Sequence, residues 1–308
     1  MSAAIDAGTA PARVAHSGKG TLTSSPSNAA RAWRRFRANQ LALGALVVLV
    51  LLIGFVAGAP LVSRFVTSVG PYDQDLANQF QPPSRGHWLG TDEFGRDVLT
   101  RIAYGGRVSL GIGVLAMTVT LVLGTSVGAL AAYFGGWTDQ VFMRLVDVML
   151  CIPGIYLLIL VAAMYHLDPV SLALAIALLG WFGLSRLVRS EILSLKERDF
   201  VEAARVVGVG HFSVLLRHVA PNALPLIAIW ITSEIPYFVV AEAGLSFLGL
   251  GIQPPTPSWG NMLTNSTVYL YRSLWLVVIP AAFIALLVLS LSVVGYAMRD
   301  ALDPRLNE

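Results

Sequence analysis

The chain has 308 residues, of which 13% are charged and 56% apolar, with a formal net charge of +3. Charged residues stand at about half their usual share. With a mean hydropathy of +0.69, this composition excludes an ordinary soluble globule and reads as a polytopic membrane protein. The single cysteine, Cys151, excludes an intrachain disulfide and reads as a small packing residue within an apolar run.

Residues 1–38 are rich in Ala, Ser, Gly, Thr and Pro and show no apolar periodicity, so a disordered tail is expected there. A helix needs about 20 mostly apolar residues to cross ~30 Å of hydrocarbon. Six segments meet that length: 41–62, 108–133, 141–165, 170–188, 222–242 and 274–298. Ala57-Gly58-Ala59 looks like a small-residue cleavage site, but the apolar run before it exceeds a signal-peptide core and residues 1–38 precede it. The first span, 39–62, is therefore read as an uncleaved anchor.

Residues 63–107 are too many for a simple connection and include Pro71, Pro82 and Pro83. Beyond them lies a five-span core, 108–299. It is interrupted by a charged island at about 189–221 and by a loop at about 243–273, where Pro254, Pro255 and Pro257 exclude regular helix. Residues 300–308 form a short tail.

An even number of spans puts both ends of the chain on one side, and the basic residues choose which. Arg31, Arg34, Arg35 and Arg37 fall on the same side as Arg186, Arg189, Lys196, Arg198, Arg205 and Arg217, together with Arg299 and Arg305. In the 63–107 segment Arg64, Arg85, Arg96, Arg101 and Arg107 are offset by Asp73, Asp75, Asp92, Glu93 and Asp97. The positive-inside rule thus places the termini and the island in the cytoplasm.

Within the island, Asp199 with Glu202, and Ser194 with Glu197, have capping-box spacing. Phe200, Ala203, Ala204 and Val207 share one face of a short helix, which Gly208 and Gly210 terminate through the left-handed cap conformation. A second short helix, about 212–218, leads to Pro221, and Asn222 is positioned to cap the fifth span. An apolar stripe with small residues permits close approach of a partner protein.

Three acids, Asp147, Glu234 and Glu242, fall within or at the ends of apolar spans, where charge is costly. Arg144, three positions before Asp147, is its expected local partner. Glu234, near Pro236, fits path lining or an interhelical hydrogen bond, and Glu242 lies near the external mouth. Gly124 and Gly128 mark a close helix contact, within the chain or to a partner. Trp181, Trp230 and Trp275 are expected to anchor interfaces or pack between helices. The five histidines are scattered and no metal site is expected. No G-x-x-x-x-G-K-[ST] phosphate loop, H-E-x-x-H or G-x-S-x-G occurs. A proton-coupled carrier using Glu234 and Asp147 is the rival function, and an intramembrane enzyme a distant third.

EAARVVGVG at 202–210, placed before the next-to-last span and followed by Pro221, resembles the EAA loop of ABC-importer permeases. HWLGTDEFGRDVLTRIAYGGRVSL (87–110), YFGGWTDQVFMRLVDVMLCIP (133–153), RHVAPN (217–222) and GLSFLGLGIQPPTPSWGNML (244–263) are similar to segments of the C-type permease subunit (the DppC/OppC kind) of dipeptide, oligopeptide and nickel importers. Ala220 departs from the pattern, where leucine is usual, and residues 1–38 have no counterpart in the resemblance.

The resemblance implies an all-α permease with six transmembrane helices. Asp199, Glu202, Ala203, Ala204, Gly208, Arg217 and Pro221 would couple it to ATPases, and Glu234, Glu242 and Trp259 are candidates for the path or the external gate. It also implies a homologous second permease, two cytoplasmic ABC ATPase subunits or domains, an external substrate-binding protein and the lipid bilayer as partners, with no nucleic acid. No cofactor is expected in this chain; ATP and Mg would sit on the partner subunits. Peptides are the expected substrate, with nickel or another small solute as the alternative.

Overall fold

The computed structural model describes residues 28–302, with side chains for 33–301; residues 1–27 and 303–308, including most of the expected tails and Arg305, lie outside the described residues. Among the described residues the architecture is all helical: α1 (Asn28–Ala38), α2 (Gln40–Ala57), α3 (Val98–Phe134), α4 (Gly136–Leu150), α5 (Gly154–Met164), α6 (Pro169–Leu195), α7 (Asp199–Val206), α8 (His211–Phe247), α9 (Ser266–Arg272) and α10 (Trp275–Leu302). Five of these helices are long and apolar enough to cross a membrane, and α4 with α5 makes a sixth span if that bent pair is counted as one.

The chain begins differently from expectation. Residues 28–38 are helical, not disordered, because Phe36 finds a place against Ala42 of α2 and Val294 and Ala297 of α10. At the other end α10 runs on to Leu302. The second span also starts early, at Val98. Asp97 accepts the Thr100 amide at 2.8 Å and caps the helix, and the charges of Arg101 and Arg107 hide this first stretch from a hydropathy reading. At 37 residues, α3 is about 55 Å long and projects well beyond the hydrocarbon layer.

The third apolar run is broken, not straight. α4 and α5 meet at an 80° bend across Cys151-Ile152-Pro153. Pro153 has no amide hydrogen to continue the helix and disfavours helical geometry at Ile152. Cys151 at this bend is exposed and packs in no core.

The frame of the molecule is the α3–α6 pair, which Gly124 and Gly128 of α3 bring together. At Gly128 a Cβ would lie 2.4 Å from the carbonyl oxygen of Ser185, so only glycine permits this approach. Gly124 faces Leu184 in the same way, which makes the close contact one within the chain. Trp230 of α8 packs between the two large apolar clusters built around this pair.

Candidate functional site

The ends of the α3–α6 frame carry two different structures. At the Val98 end, the 63–97 segment and the loop after α8 fold over the bundle as a cap. At the Phe134 end sits the charged island.

The cap is held by buried charge. Asp92 accepts from Arg96 Nε at 2.6 Å and from the amides of Phe94 and Arg96, and lies 3.3 Å from Arg101 Nε. Arg101 also donates to the Pro71 carbonyl at 3.1 Å, tying the segment to α3. His87 Nδ1 lies 2.9 Å from Asp97. Burial and the neighbouring Glu93 carboxylate raise the pKa of the Tyr269 phenol beyond the ordinary tyrosine range, keeping it a hydrogen-bond donor.

Two expected path residues belong to this cap. Glu242 is 0% exposed: Ser246 Oγ donates to its Oε1 at 2.7 Å, and the hydroxyls of Ser109 and Ser258 flank it. Trp259 is equally buried, its Nε1 donating to the Ile102 carbonyl at 2.9 Å and its amide to Ser109 Oγ at 3.2 Å. Neither side chain reaches a surface of the chain in this structure, where both pack inside the cap. Together they latch the 248–261 loop onto α3. Glu234 is half-buried on α8, away from this latch.

The island begins where α6 ends. Arg198 occupies the N-cap of α7 and makes no side-chain cap bond, while Asp199 is the first helical residue, so the Asp199–Glu202 capping box does not form. Ser194 lies inside α6, and its pairing with Glu197 also fails as a cap. Gly208 does what its position predicts. At φ +86° it sends its amide to the Arg205 carbonyl, and Val209 bonds back to Ala204, a Schellman termination.

Beyond Gly210 the expected short second helix is continuous with the fifth span. The backbone widens to a π-turn at Leu215–Val219, the Ala220 amide bonds to the Leu215 carbonyl, and Pro221 is carried within the helix. Asn222 is not a cap. Its Nδ2 donates to the His218 carbonyl at 2.6 Å, one turn back within the same helix.

Burial divides the island's apolar residues. Val201 and Ala204 turn inward, joining Val214, Leu215 and Val219 against Ile192 and Tyr133. Phe200, Ala203, Val206 and Val207 face outward, with Val206 82% and Val207 83% exposed, and Phe212 and Leu216 stand exposed on the following segment. Of the candidate coupling residues, Asp199, Glu202, Ala203, Gly208, Arg217 and Pro221 are exposed and Ala204 is not. The expected single face is therefore split. With two apolar faces on one helix, periodicity alone does not say which one the chain keeps for itself.

The island is braced from behind. Lys196 Nζ donates to the Ala132 carbonyl at 3.1 Å, and His211 meets the Tyr133 ring edge-on at 6.3 Å. Arg189 pairs with Asp139 on α4, and Asp147 pairs with Arg186 of α6 in place of the expected Arg144. The result is an exposed apolar ridge rimmed by Asp199, Glu202, Arg205 and Arg217 on a braced support.

Residues 124–308, more than half of the chain, match the family described as binding-protein-dependent transport system inner membrane component. The chain belongs to that family. Residues 27–83 match the N-terminal TM domain of oligopeptide transport permease C, so residues 27–38 do have a counterpart among such permeases. The permease is 38% identical over 278 residues to the dipeptide transport system permease protein DppC of Alkalihalophilus pseudofirmus, covering 90% of each chain. It is 36% identical over 274 residues to the oligopeptide transport system permease protein OppC of Bacillus subtilis, covering 89% of this chain and 88% of that one. It is also 38% identical over 279 residues to the glutathione transport system permease protein GsiD of Escherichia coli, with coverage of 89% and 90%. The permease is thus a multi-pass inner-membrane subunit of an ABC importer, a class that works with an ATPase and a substrate-binding protein.

Proposed function

We propose that this permease moves dipeptides or short oligopeptides into the cell, as half of a heterodimer with a homologous permease. Two cytoplasmic ATPase subunits or domains bind ATP and Mg and dock on the island, an external binding protein delivers substrate to the cap side, and both termini lie in the cytoplasm. Hydrolysis takes place on the partners and this chain carries their motion into the spans.

The observation that carries the reading is the outward ridge of Phe200, Val206 and Val207 beside the Gly208 turn. Large apolar side chains at such exposure on a braced, charged element are costly unless a partner covers them. The relatives named for dipeptide, oligopeptide and glutathione transport support a peptide substrate.

The test is uptake of labelled dipeptide into liposomes carrying the complete importer, with ATP hydrolysis measured in parallel. Peptide-stimulated hydrolysis and uptake are expected, and E202K is expected to keep basal hydrolysis while losing uptake. Nickel accumulation without peptide stimulation would overturn the substrate assignment. Proton-driven uptake by the chain alone would overturn the mechanism.

A further inference from the structure

Helix α1 is not used by the coupling mechanism, and its chemistry is unlike that of the other helices. Among its described side chains Trp33, Arg34, Arg37 and Ala38 are exposed, while Phe36 is buried. Trp33 stacks on Phe36 with ring centroids 5.9 Å apart. The surrounding sequence is strongly one-signed: no Asp or Glu occurs between Asp6 and Asp73, whereas Arg13, Lys19, Arg31, Arg34, Arg35 and Arg37 all precede the first span.

The depth of this helix follows from the chain itself. Asn39 alone separates α1 from α2, and its extended backbone (ψ 101°) turns the chain between them. Asn39 Oδ1 accepts the Ala42 amide at 3.1 Å and so starts the membrane-crossing helix. One residue reaches at most about 3.6 Å, so the last turn of α1 sits where α2 enters the bilayer. The packing of Phe36 on Ala42, Val294 and Ala297 pins α1 across the ends of α2 and α10. That end of α10 is opposite the cap, because Trp275 and Leu276 lie at the cap and Val294 and Ala297 at the far end. α1 therefore lies on the same face of the membrane as the island.

We infer that α1 lies in the headgroup layer and that its Trp33–Arg34–Arg37 face binds the phosphates of anionic phospholipids. Guanidinium forks match phosphate oxygens in pairs, and tryptophan prefers the depth at which a ring can be half apolar and half wet. A basic cluster immediately beside a span is drawn to an anionic leaflet. Arg35 is half-buried instead and lines a recess of about 280 Å³ with Asn39, Ala297 and Asp300. The lipid assignment is favoured over an acidic protein because the face sits at headgroup depth beside the start of α2.

The experiment titrates the purified full chain in detergent with phosphatidylglycerol or phosphatidylcholine and reads bound lipid by native mass spectrometry. Phosphatidylglycerol is expected to be retained preferentially. R34Q/R37Q is expected to weaken that binding on the order of tenfold and leave phosphatidylcholine unchanged, with R34K/R37K keeping most of it and added salt weakening it. Brominated phosphatidylglycerol should quench wild-type fluorescence more than that of W33F. Equal retention of the two lipids, or wild-type phosphatidylglycerol binding by R34Q/R37Q, would overturn the inference. So would loss of the ATPase subunits from the R34Q/R37Q complex with lipid binding intact, which would make the face a protein contact.

Discussion

At the cap, the ionisable side chains around Asp92 are buried and paired and Trp259 is covered. At the island, charges stand in solvent and five large apolar side chains stand with them. Asp92, Arg96, Arg101 and Glu242 would read as functional by their chemistry, yet each is within the packed structure. Phe200, Val206, Val207, Phe212 and Leu216 would read as core, yet each is exposed. What residue type suggests at either end, packing reverses. Buried polar groups here hold the fold, and on the proposed function the exposed apolar groups are left for a partner. Substitutions at the cap should therefore act on stability, and substitutions on the outward ridge should act on coupling.

The largest effect is expected from D92A. It leaves Arg96 and Arg101 buried beside one another without their shared carboxylate, and breaking a buried pair this way costs about 3–5 kcal/mol. The check is thermal unfolding of the detergent-purified chain. A melting temperature equal to that of the wild type would mean the cap network is not structural. A smaller effect, about 1 kcal/mol, is expected for W259F, which keeps most of the buried ring but loses the indole hydrogen bond to the Ile102 carbonyl. The same melt, with proteolysis of the 248–261 loop as a second readout, tests whether Trp259 is a latch.

The smallest stability effect concerns Asp168, the exposed N-cap of α6, which accepts the Ser171 amide and hydroxyl at 2.7 Å. These bonds, the backbone one first, lower its pKa below the usual carboxylate value. A group with a depressed folded pKa contributes stability above its unfolded pKa and loses it as pH falls through the folded value. D168A should therefore differ from the wild type in melting temperature at neutral pH, and the gap should close in acid. A gap that persists at low pH would show that the carboxylate charge is not what the cap uses.

Much of this architecture is legible in the sequence, and the omissions have physical causes. Five spans show because continuous apolar runs have no other stable environment. The Gly208 turn shows because few residues tolerate φ +86°. The bend at Pro153 is hidden because hydropathy averages straight through 141–165. The first turns of α3 are hidden because Arg101 and Arg107 look extramembrane. The partner of Asp147 is hidden because an i,i+3 arginine, Arg144, is nearby in sequence while Arg186 is near only in the fold. Glu242 reads as a path residue because its serine partners include Ser109, on a different helix. The inward face of α7 is unreadable for a related reason: Val201 and Val206 are the same residue type, and only tertiary contact distinguishes them.

The central claim, that the outward ridge of the island is a docking surface and not misplaced core, is tested most directly by V206D/V207D in the complete importer. The account predicts an unchanged melting temperature for the purified chain, within the small range expected of surface substitutions. It also predicts loss of co-purifying ATPase and of ATP-driven uptake. Wild-type uptake with ATPase retained, or a large fall in the melting temperature of the chain alone, would contradict it.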